Sequence, residues 1–171
     1  METKDKQFHY FHANVLFTGK HARYIDALWE QNKIHNSYFN RLYELYLVAT
    51  VIGLRANRKA KADTSDDDKR QIPTEQILHC SALKELMKLV LLIDEDDHLT
   101  KQQKVDRAFR GPKDETEFKA NVDLFNSYAR GGIEVLYEEL VLRELDINDA
   151  YTDKKVGNLM ALLENKFVPE M

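Results

Sequence analysis

Six cations crowd residues 55–70 of this chain: Arg55, Arg58, Lys59, Lys61, Lys69 and Arg70. Guanidinium and ammonium groups at this density can contact phosphates, each adding salt-dependent affinity, or meet the acids of a protein partner. Asp63, Asp66, Asp67 and Asp68 follow the first four cations at once and equal them in number. A solvated loop that neutralises itself is the leading reading. A protein-partner surface ranks second and a nucleic-acid contact third.

The other clusters carry less chemistry. Asp94, Glu95, Asp96, Asp97 and His98 are consecutive. Two-metal nucleases use clustered carboxylates, but neighbours on a helix point in different directions, so a solvated helix end is expected here. His9 and His12 are spaced for one helical turn without a third ligand nearby, and their aromatic flanks fit a packed arm better than a metal site. Cys80, between His79 and Ser81, reads as a structural cysteine. Glu117-Phe118-Lys119 has an acid-x-Lys spacing that nucleases place on a strand, yet it falls in a helical pattern. Asp146-Ile147-Asn148-Asp149 starts like a calcium loop but lacks the central Gly and terminal Glu. HExxH, Gly-rich phosphate-loop and Gly-x-Ser-x-Gly patterns are absent. This reading names no catalytic residue, metal ligand or cofactor and leans away from an enzyme. A nuclease assembled from distant acids is the last alternative.

The elements that must position these residues read as helices. Residues 21–32 repeat Tyr24, Ile25, Leu28 and Trp29 at helical spacing. A second helix is expected over 38–54, capped by Asn36 or Ser37. From Leu45 to Ile52 it is apolar all round except at Thr50, so other elements should surround it. Residues 55–72 hold almost no large apolar group and read as a long charged loop. Pro73 and Thr74, the latter as cap, open a helix that runs to Ile93 with an all-apolar end from Leu89. Leu47 and Leu89 are expected near the centre. Thr100 caps a short helix that Gly111-Pro112 stops. Residues 114–129 and 133–145 read as two helices, broken or kinked at Gly131-Gly132. After a turn at 146–149, residues 153–167 form an amphipathic helix with Val156, Leu159, Met160, Leu162 and Leu163 on its apolar side. Tyr43, Tyr46, Tyr128, Tyr137 and Tyr151 fall on or beside helices, a placement typical of core and of protein interfaces.

Composition agrees. The 171 residues suit one domain. Hydrophobic residues make up 43% and charged ones 32%, a balance that suggests neither a disordered nor a membrane class. Three prolines and six glycines favour long helices. A net charge of -4 weighs against a dedicated nucleic-acid binder. One cysteine and no secretory leader pattern fit a reducing cytoplasm. No apolar run approaches the ~18 residues of a spanning helix.

Three segments carry a family likeness. They are Tyr43 to Leu54 followed by the basic run, Gln71-Ile72-Pro73 opening a helix, and Ser127-Tyr128-Ala129-Arg130-Gly131-Gly132-Ile133-Glu134-Val135-Leu136. Together they resemble the small accessory proteins of bacterial DNA-phosphorothioation (Dnd) and related phage-defence gene clusters. The resemblance implies a defence or DNA-modification setting and brings no catalytic residues.

The expectation is therefore an all-α, single-domain bundle of about six or seven helices over 1–171, with an extended arm at 1–20 and the charged loop at 55–72. It would serve as a non-enzymatic accessory or adaptor subunit of a phage-defence or DNA-processing complex. Other protein subunits are its expected partners, with DNA reached through a complex, no membrane, and an oligomeric state the sequence leaves open. Arg55, Arg58, Lys59, Lys61, Lys69 and Arg70 are the contact candidates. The alternative is an adaptor that touches DNA directly through them.

Overall fold

The computed structural model describes residues 8–29, 37–95, 98–144 and 153–164. Its order is β1 (Val15–Thr18), α1 (Lys20–Leu28), α2 (Leu42–Arg55), β2 (Lys69–Ile72), α3 (Thr74–Leu78), α4 (Ala82–Ile93), α5 (Lys101–Arg110), α6 (Glu115–Tyr137) and α7 (Lys154–Glu164). A single π-helical turn, Glu138–Leu142, extends α6. Seven helices and one two-stranded sheet among the described residues make this an essentially all-α fold.

Helix α6 is the spine. Asp114 caps it by accepting the Glu117 N–H at 2.8 Å. Gly131-Gly132, expected to break it, lie inside an unbroken helix. The reason is close approach to α2. A Cβ on Gly132 would stand 1.7 Å from the Ala49 carbonyl oxygen, and one on Gly53 would stand 2.0 Å from that of Tyr128. Only residues without a side chain let the two backbones meet. Around this contact Leu45, Tyr46 and Ala49 of α2 pack with Phe125, Tyr128, Ile133 and Leu136 of α6, all buried.

Other expectations shift. Helix α2 starts at Leu42 with Arg41 at its N-cap, so Ser37 does not cap it; the Ser37 hydroxyl instead donates to the Phe39 carbonyl. The apolar end of α2 is not enclosed, since Val48 and Val51 are 37% and 44% exposed. The helix expected over 74–93 is two, α3 and α4, separated at 79–81 where Cys80 is half-buried. Thr74 is the first residue of α3, and Asn14 accepts both its N–H and its hydroxyl at 2.9 Å. Leu89 is 44% exposed and Leu47 half-buried; Leu83, Met87, Val90 and Leu91 form the buried face of α4. Thr100 does cap α5, in a reciprocal pair with Gln103.

The long loop ends in a strand. β2 pairs antiparallel with β1, Val15 opposite Ile72 and Thr18 opposite Lys69. The start of the chain before β1 lays aromatic rings on α6, with Phe8 and Tyr10 stacked on Phe118 at 5.4 and 5.3 Å. The first helix, expected to Asn32, ends at Leu28, and Trp29 is already extended. Residues 1–7, 30–36 (Asn36 among them), Asp96, Asp97, the turn at 146–149, Tyr151 and residues 165–167 lie outside the described residues.

Candidate interaction surface

Between α2 and β2, residues 56–68 run as a strap across α6. The Arg58 N–H donates to the Gly53 carbonyl at 2.8 Å, and the Ala60 N–H to the Ser127 carbonyl at 2.9 Å. Arg130 Nε returns a bond to the Ala60 carbonyl at 2.8 Å. The Arg58 carbonyl lies so close to Gly131 that a Cβ there would come within 2.0 Å of it. Backbone, not only charge, seats the strap.

Its cations then reach inward. The Arg58 guanidinium donates to Glu134 at 2.9 Å and to Glu138 at 2.6 and 2.8 Å. Glu134, 7% exposed, also receives Lys20 Nζ at 2.8 Å and His21 Nε2 at 3.0 Å. Burial alone would raise the Glu134 carboxyl, but the donors Lys20, His21 and Arg58 outweigh it and hold the group below its ordinary value. His21 is fully buried, and desolvation pushes its imidazole down against the pull of Glu134. The neutral ring gives one N–H to Glu134 and keeps Nδ1 without a partner.

Lys59 makes a second buried pair. Its ammonium stands 2.5 Å from Asp94 Oδ1, which the Tyr128 hydroxyl also reaches at 2.8 Å. Burial, and then Asp94, push the Tyr128 hydroxyl up. Asp94 was expected on a solvated helix end; it is 3% exposed, whereas Glu95 is exposed. At the far end of the strap, the Gly19 N–H donates to the Asp68 carbonyl at 2.9 Å. The Lys20 N–H donates to Asp63 at 2.7 Å and, with Ser65, holds that carboxyl down at about 2. Arg23 bridges Asp66 and Asp68, and Arg70 meets Asp26 at 2.6 Å. The ion pairs of Arg58, Lys59, Asp66 and Asp68 run to other parts of the fold, not within the loop.

The six candidate cations therefore do not converge. Arg58 and Lys59 turn towards α6 and the end of α4, and Arg70 towards α1. Arg55, Lys61 and Lys69 are exposed. Sequence reasoning missed Glu134 and Asp94 as partners. One signal was available: Glu134 is a lone acid inside the apolar run 133–136, and buried carboxylates are almost never left unpaired.

Helix α7 shows the opposite arrangement. It docks through polar groups, with Asn158 Nδ2 donating to the Leu140 and Arg143 carbonyls at 3.1 and 3.2 Å and Lys155 reaching the Ser37 carbonyl. These carbonyls lie at the end of the π-turn, where intrahelical donors run out. Of the five apolar residues expected to pack inward, only Leu162 is buried. Val156, Leu159, Met160 and Leu163 are 49%, 44%, 55% and 74% exposed. They recur at i, i+3, i+4 and i+7 and so form one face. Leu142 of the π-turn, beside Ala161 and Glu164, is 57% exposed.

Among the described residues no group of three or more His, Cys, Asp or Glu could hold a metal ion, and no helix is long and apolar enough to cross a membrane. The family model for DNA sulphur modification system-associated protein 4 matches residues 17–161. The chain belongs to this family. The matched span takes in the end of β1 from Phe17, the strap, the glycine-lined α2–α6 contact and α7 to Ala161. No curated protein and no solved structure matches the chain. Family membership puts the chain in the context of a DNA sulphur modification system, in agreement with the resemblance read from the segments around Tyr43 and Ser127.

Proposed function

We propose that this chain is an accessory subunit that acts by protein–protein contact within a DNA sulphur modification system, with the apolar face of α7 as its principal contact. Membership of a system-associated family supports the setting. The observation that carries the contact is the exposed stripe of Val156, Leu159, Met160 and Leu163. Contiguous apolar surface of this kind is disfavoured on a solitary soluble protein and suits a groove on a neighbour. Arg55, Lys61 and Lys69 are proposed as a flanking polar set, while Arg58, Lys59 and Arg70 hold the strap in place. Direct contact with DNA is the second reading. It draws support from the same exposed Lys61 and Lys69 but must work against the net charge of -4.

The test is co-expression with the other proteins of the system and co-elution on size exclusion. Leu159→Asp with Leu163→Asp should abolish co-elution while the isolated chain keeps its melting temperature. Undiminished co-elution of that double variant would overturn the assignment of α7. Duplex DNA that binds the isolated chain, weakens steeply with salt and is lost on Lys61→Ser with Lys69→Ser would favour the second reading.

A further inference from the structure

The apolar face of α7 borders a second surface. Between α7 and the π-turn lies an open groove of about 600 Å³, lined by Glu138, Glu139, Leu142, Arg143, Ala161 and Glu164. Helical spacing joins the two. Met160 of the exposed face stands one turn before Glu164 of the groove, and residues four apart are neighbours on a helix. Leu142, 57% exposed, and half-buried Ala161 give the groove an apolar lining. Its polar lining is three carboxylates and one guanidinium.

The carboxylates differ in what they hold. Glu139 meets Arg143 at 2.7 Å, and Glu138 meets Arg58 of the strap at 2.6 Å. The Glu164 carboxylate is exposed and makes no hydrogen bond or ion pair among the described residues. The groove also receives the end of α6 and its π-turn, the negative end of an unbroken run of helical peptide dipoles from Glu115 to Leu142. Carboxylate and dipole act in the same direction, so the groove selects a cation. At the other end of α7, Lys154 is exposed at the helix start. The contact face is therefore polar along its length, negative at Glu164 and positive at Lys154.

Backbone chemistry sets the form of the occupant. The N–H and C=O groups of α7 are used within the helix. An extended segment laid over Leu159 and Leu163 would find no backbone partner there and would hold its own polar groups over apolar side chains. A helix satisfies its own backbone and offers an apolar stripe of matching spacing.

We propose that α7 docks an amphipathic helix of a partner protein, whose apolar stripe covers Val156, Leu159, Met160 and Leu163 and whose lysine or arginine enters the groove against Glu164. This rests on the assignment of α7 as the contact. The cation fixes which way the partner helix runs. A neutral or acidic helix would leave Glu164 unpaired beside the negative helix end.

Binding kinetics of the full chain with its co-eluting partner test this. Rim charges act mainly on association and its salt dependence. Glu164→Lys, at an exposed position, should keep the melting temperature and slow association about tenfold at low salt. Glu164→Gln should slow it less and flatten its salt dependence. The partner segment protected in hydrogen exchange should be a helix with a lysine or arginine, and reversal of that cation to glutamate should restore association with the Glu164→Lys chain. The proposal is overturned if both Glu164 variants associate like the parent chain at every salt concentration, or if the protected segment is extended or lacks a cation. Leu159→Asp with Leu163→Asp separates the two layers. If that double variant loses the partner while Glu164→Lys binds normally, α7 remains the contact and the cation is wrong. If the double variant still binds, or if no protein of the system co-elutes, the contact itself is wrong. A stable dimer of the isolated chain, lost in the same double variant, would put a second copy on the face and overturn the partner assignment.

Discussion

The strap and α7 are opposites. The strap is densely charged, yet its backbone is bonded to Gly53 and Ser127 and two of its cations end on nearly buried acids. Helix α7 has the regular apolar spacing of a packed helix, yet it leans on the fold through Asn158 and Leu162 and turns Val156, Leu159, Met160 and Leu163 outward. Charge density marks a surface only when no acid elsewhere in the chain claims the charge. An apolar stripe marks a buried face without saying which molecule buries it.

The largest effect is expected where both regions are anchored. Gly132→Val would drive a side chain into the Ala49 carbonyl, 1.7 Å from the first added carbon. It should cost more than about 4 kcal/mol in urea denaturation, and both contrasting regions should lose their definition together. Asp94→Ala comes next. It leaves the Lys59 ammonium and the Tyr128 hydroxyl without their shared acceptor and should cost about 3 kcal/mol, with new tryptic cleavage after Lys59 or Lys61. Arg58→Ser removes a partly exposed ion pair and should cost only about 1 kcal/mol; a neutral result would show that the backbone bonds alone seat the strap.

Acid should loosen the strap's anchor in two stages. The folded chain holds the His21 imidazole below its ordinary value of 6.5, so the unfolded chain takes the proton first. Stability is then full above 6.5 and lost as pH falls from there towards the folded value. Glu134 sits below 4.5 in the folded chain, so its contribution is present above 4.5 and lost as pH falls through the lower folded value. The melting temperature should show both declines, and His21→Gln should remove the upper one alone. The smallest effect is expected at α7. Leu159→Asp or Leu163→Asp should change the stability of the isolated chain by no more than ~0.5 kcal/mol. A larger loss would mean that this face is packed and the contrast with the strap is false.

Much of the fold could be read from the residues, because local signals and tertiary packing agree there. Thr100 with Gln103 announces a cap, and the density of apolar residues around Leu45 and Tyr46 announces a core helix. What escaped depends on distance along the chain. β2 carries one apolar residue in four, and only Val15 to Thr18, more than fifty positions earlier, makes it a strand. Gly131-Gly132 looks the same in sequence whether it breaks a helix or admits another, and Ala49 decides which. The acids that hold Arg58 and Lys59 lie 76 and 80 residues away for Arg58, in Glu134 and Glu138, and beyond α4 for Lys59. Leu89 was expected near the centre because the run from Leu89 to Ile93 is apolar throughout; within that run Val90 and Leu91 are the buried pair, and Leu89 stays 44% exposed.

Hydrogen–deuterium exchange of the full chain, alone and in complex with its co-eluting partner, sets the two regions side by side in one measurement. The amides of Arg58 and Ala60 should be protected already in the isolated chain and should not change on binding. The amides of residues 154–164 should exchange readily alone and slow in the complex. A strap that exchanges freely alone and becomes protected by the partner, with α7 unchanged, would contradict the division of roles and return the contact surface to the cations.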